Sequence, residues 1–168
     1  MASLESMQRG EVVARFGGVY EHSPWVVEGA FDQGLIAQCE TVEALHLALS
    51  SVMRTASPQA QLALINAHPD LAGRLARAGR LTAESTQEQA SAGLDQLTDE
   101  ERSRFTALNE AYTAKFGFPF ILAIKGRQKS EILAAFEARL RHTREQESAT
   151  ALDEIDRIAL LRLKELWK

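Results

Sequence analysis

The chain has 168 residues, the length of one domain, and 45% of them are hydrophobic, which is enough to bury a core. Its formal net charge of −4 at pH 7 leaves no basic field for phosphates, so we expect no nucleic-acid partner. The single cysteine, Cys39, excludes an intrachain disulfide and a cysteine-based zinc site, and residues 1–168 are expected to form a single domain.

The first half of the chain contains three predicted helix starts. Ser23-Pro24 and Ser57-Pro58 each place a capping hydroxyl before a proline, whose fixed φ and missing N–H suit the first helical position. The helix after the second pair is expected to end near His68, because Pro69 disfavours the α conformation of its predecessor. Thr41 is the third predicted cap. It precedes apolar residues at helical spacing, namely Val42, Leu45, Leu49, Val52 and Met53.

The second half of the chain is also predicted to be helical. Thr98–Glu101 has the pattern of a capping box, and Gly117 is expected to end the helix that this box begins. One face of that helix carries Phe105, Leu108, Tyr112 and Phe116. Two later amphipathic segments are marked by Ile132, Leu133, Phe136 and Leu140, and by Leu152, Ile155, Ala159, Leu163 and Leu166.

The apolar run 118–124 is the one segment that could form a strand. It has no partner run of similar character elsewhere in the sequence, and a lone strand cannot form a sheet. We therefore predict an all-α fold of six to nine helices, in which this run is a buried, irregular connection.

Sequence features also bear on location. The N-terminal residues contain no apolar core of a signal peptide, and the run 118–124 is far shorter than the roughly 20 residues that span a bilayer. The last residues do not form a peroxisomal signal. We expect a cytoplasmic protein that has no membrane partner.

Three stretches differ from ordinary packing sequence: Asn66–Gly73, Glu84–Leu94 and Phe116–Phe120. They contain a His-Pro-Asp-Leu-Ala-Gly turn, a Ser-x-x-Glu-Gln-x-x-Ala-Gly-Leu segment and a Gly-Phe-Pro-Phe run. In this order they resemble the 2-oxo-4-hydroxy-4-carboxy-5-ureidoimidazoline (OHCU) decarboxylase family. The similarity also takes in Phe16–Trp25 and the ending at Leu163, so it covers nearly the whole chain.

The resemblance implies an activity, a carboxy-lyase reaction. The substrate would be OHCU, which loses CO2 from the ring carbon that bears a hydroxyl and is then protonated on one face to give (S)-allantoin. The resemblance implies no metal or organic cofactor. This agrees with the chemistry of the substrate, since the neighbouring ring C=N and C=O groups can accept the electrons. His68 and Asp70 could suggest a metal pair, but no further ligand stands at credible spacing, so we expect no metal site.

His68 is the predicted general acid. An imidazole has an unperturbed pKa of about 6.5 and exchanges protons around neutrality, and the position matches the catalytic histidine of the resembled family. The resemblance also assigns Pro69 to the substrate-binding set. Without the resemblance, the favoured interpretation of His68 is a residue that caps a helix end before proline.

Glu88 and Gln89 are placed by the resemblance around the ureido and hydroxyl groups of the substrate, with Glu88 also among the catalytic residues. Ser85 is expected to serve the same site, at a helix N-terminus whose N–H groups suit a substrate carboxylate or ring oxygens. The alternative is structural, since Ser85–Glu88 also has the pattern of a capping box.

The resemblance implies that a second binding segment clasps the flat ring through an apolar wall and main-chain groups. Its residues are Phe118, Pro119, Phe120, Ile121 and Leu122. The alternative is that this run is plain hydrophobic core.

The family also has an arginine in its last helix, suited to pair with substrate negative charge through its planar guanidinium. Arg157 and Arg162 both lie there, and we favour Arg162 because it lies inside the Leu-Arg-Leu stretch that matches the family ending. Alternatively, either arginine is a solvated residue paired along its own helix.

Two other functions compete with the decarboxylase. One is a non-catalytic all-α interaction module, in which His68 and Glu88 only cap helices. The other is a hydrolase of the preceding step of the pathway with His68 as general base, for which no water-activating partner is found. The frequency of symmetric homo-oligomers favours a homodimer, although no stretch of the sequence decides it.

Overall fold

The computed structural model describes residues 4–73 and 79–168, and these residues form eight α-helices and no strand. In chain order the helices are α1 (Arg9–Phe16), α2 (Trp25–Asp32), α3 (Val42–Thr55), α4 (Pro58–Asn66), α5 (Ala83–Ser91), α6 (Asp99–Phe116), α7 (Lys129–Arg139) and α8 (Arg144–Leu166), after a 3-10 turn at Leu4–Ser6. The predicted all-α class and number of helices are confirmed for this part of the chain. No helix within it is long and apolar enough to cross a membrane.

Internal contacts divide the chain into two compact units. The first contains the described residues up to Ala67 together with Ile155–Lys168, and the second is His68–Glu154. Helix α8 contributes residues to both units.

Local sequence signals account for the ends of several helices. The hydroxyl of Thr41 accepts a hydrogen bond from Ala44 N, and that of Ser57 accepts one from Ala60 N, so both predicted caps are confirmed. At α6 the capping box of Thr98 is present as predicted. The same helix ends at Gly117, whose φ of 78° lies in the left-handed region that favours glycine.

The start of α2 differs from the prediction. The helix begins at Trp25, so Pro24 is the N-cap residue and not the first helical residue. The hydroxyl of Ser23 donates to the carbonyl oxygen of Glu21 and does not cap the helix. The predicted capping role of Ser23 is therefore wrong, because the helix begins one residue later than predicted and Ser23 lies before its N-cap.

The capping box predicted at Ser85–Glu88 is also wrong. Helix α5 begins earlier, at Ala83, and its N-cap is Thr82, whose hydroxyl accepts from Ser85 N at 3.3 Å. Thr82 and Ser85 are both good capping residues, and the upstream one begins the helix. Ser85 therefore lies within the first turn of α5, and its backbone N–H is already bonded.

In the first unit, α2 packs against both α1 and α3, and a buried carboxylate binds residues of α3 and of the segment after α1. Asp156 accepts hydrogen bonds from the hydroxyls of Tyr20 and Ser50, and from the guanidinium of Arg54. His46 Nε2 lies 2.9 Å from the backbone oxygen of Asp156. Burial and the hydrogen bond to Asp156 raise the pKa of Tyr20. This carboxylate thus joins α3 and α8 to the segment that follows α1.

An aromatic cluster forms the core of the second unit, in which α6 packs against α7. Its members are Phe105, Tyr112, Phe116, Phe118, Phe120 and Phe136. The rings of Phe120 and Phe136 are stacked with centroids 3.7 Å apart, whereas Tyr112 meets Phe120 edge-on at 5.3 Å. The cluster fixes the irregular connection 118–124 between two helices, as the sequence predicts.

Candidate active site

His68 lies just beyond the end of α4, where the proline rule places it. Only 7% of the residue is exposed, so the imidazole is largely shielded from water. The chain then makes a tight turn in which Ala72 has a φ of 51°, a value rare for a residue with a side chain. At Gly73 an added Cβ would lie 2.5 Å from Asp70 Cβ, so only glycine fits there.

Gln89 on α5 binds the backbone of this turn. Its Oε1 accepts a hydrogen bond from Ala72 N at 3.0 Å, and its Nε2 donates to the carbonyl oxygen of Asp70 at 3.3 Å. The side chain is almost fully buried. The turn that carries His68 and the helix that carries Glu88 are therefore joined directly, although they are separate in sequence.

One face of α5 carries the polar residues that the sequence singles out. Ser85 and Gln89 are buried, and Glu88 is partly buried beside them at helical spacing. The structure therefore brings these three side chains to one side of the helix that packs on the His68 turn. Pro69, within the turn, is partly buried.

Asn109 on α6 also binds this turn, and sequence reasoning missed it. Its Nδ2 donates to the carbonyl oxygen of Leu71 at 2.8 Å, and the residue is 7% exposed. The available signal was its position. Asn109 shares the buried face of α6 with Phe105 and Tyr112, where a polar residue is exceptional and needs a partner.

The predicted aromatic binding segment is held by side chains from α7 and α8. Phe118, Phe120, Ile121 and Leu122 are buried and Pro119 is partly buried. Arg139 donates to the carbonyl oxygen of Ile121, and its guanidinium lies over the ring of Phe120 at 4.3 Å. Glu154 accepts a hydrogen bond from Ala123 N at 2.9 Å. Backbone groups without a strand partner are thereby bonded to side chains.

Glu147 lies behind this segment and was also missed by sequence reasoning. It is fully buried and accepts hydrogen bonds from Tyr112 Oη and Arg139 Nε, with His142 Nδ1 at 3.0 Å. Burial and donation to Glu147 raise the pKa of Tyr112. The charged pair satisfies two groups that would be costly to bury separately.

Helix α6 links the two parts of the second unit. Asn109 contacts the His68 turn, whereas Tyr112, one turn further along, packs its ring against Phe118 and Phe120 at centroid distances of 6.1 and 5.3 Å. Helix α6 thus contacts both the His68 turn and the aromatic segment.

Arg162 belongs to the first unit, where it is 6% exposed. Its Nη1 lies 2.7 Å from Glu21 Oε2 and 3.4 Å from the carbonyl oxygen of Gly18. Arg157, the other candidate, is exposed. Arg162 is therefore not a solvated helix arginine. Its partner Glu21 lies in the N-terminal stretch that resembles the family, but sequence reasoning did not single it out.

Comparisons with known proteins extend this description. Residues 5–164 match the profile of the OHCU decarboxylase family. An OHCU decarboxylase of Halalkalicoccus jeotgali is 41% identical over 97% of this chain and 89% of its own length. One of Haloferax volcanii is 43% identical over 91% of this chain and 87% of its own length.

Among solved structures, the crystal structure of an (S)-allantoin synthase is similar in both fold and sequence. It superposes with a TM-score of 0.78 and is 36% identical, covering 97% of this chain. The chain spans 52% of that longer chain, about half of its length.

Together, the helical fold and these matches define an all-α carboxy-lyase. More specifically, the chain belongs to the OHCU decarboxylase family.

Proposed function

We propose that the chain converts OHCU into (S)-allantoin and CO2, a step of urate degradation, without a metal or organic cofactor, and that it acts as one domain. One observation carries the proposal for the site. The buried His68 stands on a turn that Gln89 bonds to α5, the helix that also presents Glu88. An ionisable group that is shielded from water, on a turn joined to a helix that carries a carboxylate, is a candidate for proton transfer to an oriented substrate.

The reaction makes three demands on the protein. The bond between the ring carbon and the carboxylate breaks, CO2 leaves, and the electron pair spreads into the neighbouring C=N and C=O groups of the ring. One proton must then reach one face only, so that a single enantiomer forms. The protein therefore has to orient the carboxylate, stabilise the moving charge and supply a proton from one side.

We assign the proton to His68 and the orientation of the ureido and hydroxyl groups to Glu88 and Gln89. Glu88 can accept hydrogen bonds from such groups. Gln89 bonds the turn through both amide atoms and would use its second N–H and its second oxygen lone pair for the substrate. Ser85 and Pro69 complete this part of the proposed binding set. The proposal is supported by the common face of Ser85, Glu88 and Gln89 on α5.

The aromatic segment is proposed as the apolar wall of the site. Its binding residues would be Phe118, Pro119, Phe120, Ile121 and Leu122. The support is that its backbone is irregular and is held by Arg139 and Glu154, so its remaining main-chain groups are free of a strand ladder. A dry wall would also strip water from the substrate carboxylate.

Arg162 is proposed to bind substrate negative charge. Its burial and its ion pair with Glu21 support this choice over the exposed Arg157. A guanidinium held at a fixed position is suited to a carboxylate or a ring oxygen.

The experiment is circular dichroism of allantoin formed when urate oxidase and hydroxyisourate hydrolase generate the unstable substrate in situ. We expect rapid appearance of one enantiomer with the intact chain and its loss with His68→Ala. His142→Gln is the matched control, since it changes a partly exposed histidine of the same unit and retains an amide for Glu147. It should remain active.

Other outcomes would support the competing functions. A racemic and unaccelerated signal with the intact chain would leave a non-catalytic helical module. Direct consumption of hydroxyisourate by the chain alone would indicate a hydrolase. From sequence features we also propose a cytoplasmic protein without nucleic-acid or membrane partners. The frequency of symmetric homo-oligomers favours a homodimer, and sedimentation equilibrium would test the oligomeric state.

A further inference from the structure

The turn after His68 has an unfavourable backbone conformation. Ala72 has a φ of 51°, and Gly73 leaves no room for a Cβ beside Asp70. A residue with a side chain keeps such a φ only where the surrounding structure enforces it. The hydrogen bonds that reach this turn therefore decide its shape.

Side chains from two helices form hydrogen bonds with the backbone of the turn. Gln89 on α5 bonds Asp70 O and Ala72 N, and Asn109 on α6 bonds Leu71 O between them. Both amide side chains are more than nine-tenths buried. Consecutive residues are thus held from two sides, and this arrangement fixes the direction in which the chain leaves His68.

The Asn109 amide itself is only half satisfied. Its Oδ1 is buried and has no hydrogen-bond partner among the described residues, whereas its Nδ2 bonds Leu71 O. A buried acceptor without a partner destabilises the folded state, and a leucine of similar shape would avoid that cost. The presence of an amide at position 109 is therefore explained by its hydrogen bond to Leu71 O, not by packing.

We propose that Asn109 is a positioning residue for His68, acting through the Leu71 carbonyl to hold the turn that orients the imidazole. This inference rests on the proposed function, in which His68 supplies the proton. Asn109 does not touch the substrate in this proposal. Proton delivery to one face depends on the placement of the donor, and small displacements from a productive geometry lower turnover strongly.

The test is Asn109→Leu, which keeps the shape of the side chain and removes the donor. We expect kcat to fall about 10- to 100-fold while KM stays within about twofold, because the proton donor and not substrate binding is disturbed. Phe105→Leu is the control. It lies one turn earlier on the buried face of α6 and weakens its packing on Phe136 without touching the turn.

A double-mutant cycle separates positioning from general stability. Asn109→Leu should lower kcat strongly in the intact protein but should hardly change the residual rate of the His68→Ala protein, because both changes remove the same contribution. Equal losses in both backgrounds, or a loss no larger than that of Phe105→Leu, would overturn the inference. If the leucine variant does not fold, Asn109→Ser is carried through the same cycle.

A measurement that needs no turnover distinguishes this inference from the proposed function. The imidazole signals of His68 in NMR spectra should shift in Asn109→Leu and stay in place in Phe105→Leu. An unchanged His68 signal in Asn109→Leu would contradict the positioning role even in an active enzyme. An inactive parent protein with a shifted His68 signal would instead contradict the proposed function alone.

Discussion

At the scale of single residues, the buried arginine Arg162 is held by a buried carboxylate, Glu21. Arg162 and Glu21 are both buried and lie 2.7 Å apart, so the pairing offsets part of the cost of removing each charge from water. The guanidinium also lies near backbone carbonyl oxygens, which limits its rotation. A lysine could keep the charge but would present a single ammonium in place of a planar group with several donors.

We expect Arg162→Lys to lower kcat/KM by about 10- to 100-fold, the range that corresponds to one or two lost charge-assisted hydrogen bonds. Arg157→Lys, an exposed change on the same helix, should leave kcat/KM within about twofold of the parent value. The measurement is the initial rate of (S)-allantoin formation by circular dichroism. Equal losses in the two variants would remove Arg162 from the proposed site.

At the scale of helices, the capping box of α6 has a second role. Glu101 accepts a hydrogen bond from Thr98 N at 3.0 Å, and its other oxygen lies 3.0 Å from Lys129 Nζ at the start of α7. These contacts, with the Thr98 backbone bond first, lower the pKa of the Glu101 carboxyl below its ordinary value of 4.5. The Glu101 carboxylate thus caps the N-terminus of α6 and forms an ion pair with Lys129, the first residue of α7.

Because the pKa of Glu101 is lower in the folded state than in the unfolded state, the stability of the fold depends on pH. Glu101 stabilises the fold fully above pH of about 4.5, and the contribution is lost as pH falls through the folded-state pKa. We expect Glu101→Gln to be less stable than the parent at pH 7, with a difference that shrinks as the pH falls below about 4. Urea denaturation at several pH values measures it, with Glu100→Gln, in the same first turn, as the control. A difference that is constant with pH would contradict the role of the ionised carboxylate.

At the scale of the whole molecule, each of the two units contains a buried carboxylate that accepts several hydrogen bonds. In the first unit Asp156 binds Tyr20, Ser50 and Arg54. In the second, Glu147 is the acceptor that Arg139 and Tyr112 share. The partners of each carboxylate come from distant parts of the chain, so each hydrogen-bond network forms only when its unit is folded.

Replacing Glu147, the buried carboxylate of the second unit, is expected to destabilise the folded state. Glu147→Gln removes the charge that balances the buried Arg139, and we expect the free energy of unfolding to fall by about 3 kcal/mol. Urea denaturation followed by far-ultraviolet circular dichroism measures this change. Glu145→Gln, exposed in the first turn of the same helix, should change it by less than about 0.5 kcal/mol. If Glu147→Gln lowered the free energy of unfolding as little as Glu145→Gln does, the ion pair between Glu147 and Arg139 would contribute little to stability.

Sequence alone determined the features that depend on neighbouring residues. The caps at Thr41, Ser57 and Thr98, the end of α6 at Gly117 and the break before Pro69 follow from local hydrogen bonding and backbone conformation. The three motifs likewise sufficed to indicate the family. The start of α5 was misplaced because two capping residues compete within one turn, a choice that the local pattern leaves open.

Only the tertiary structure decided which buried polar groups meet. Periodicity places Asn109 on the buried face of α6 but does not reveal that its partner is the Leu71 carbonyl. In the same way, the family resemblance places Gln89 near the substrate, whereas its amide atoms bond the His68 turn. The physical reason is that a buried polar group needs a partner wherever the fold provides one, and partners distant in sequence leave no local pattern.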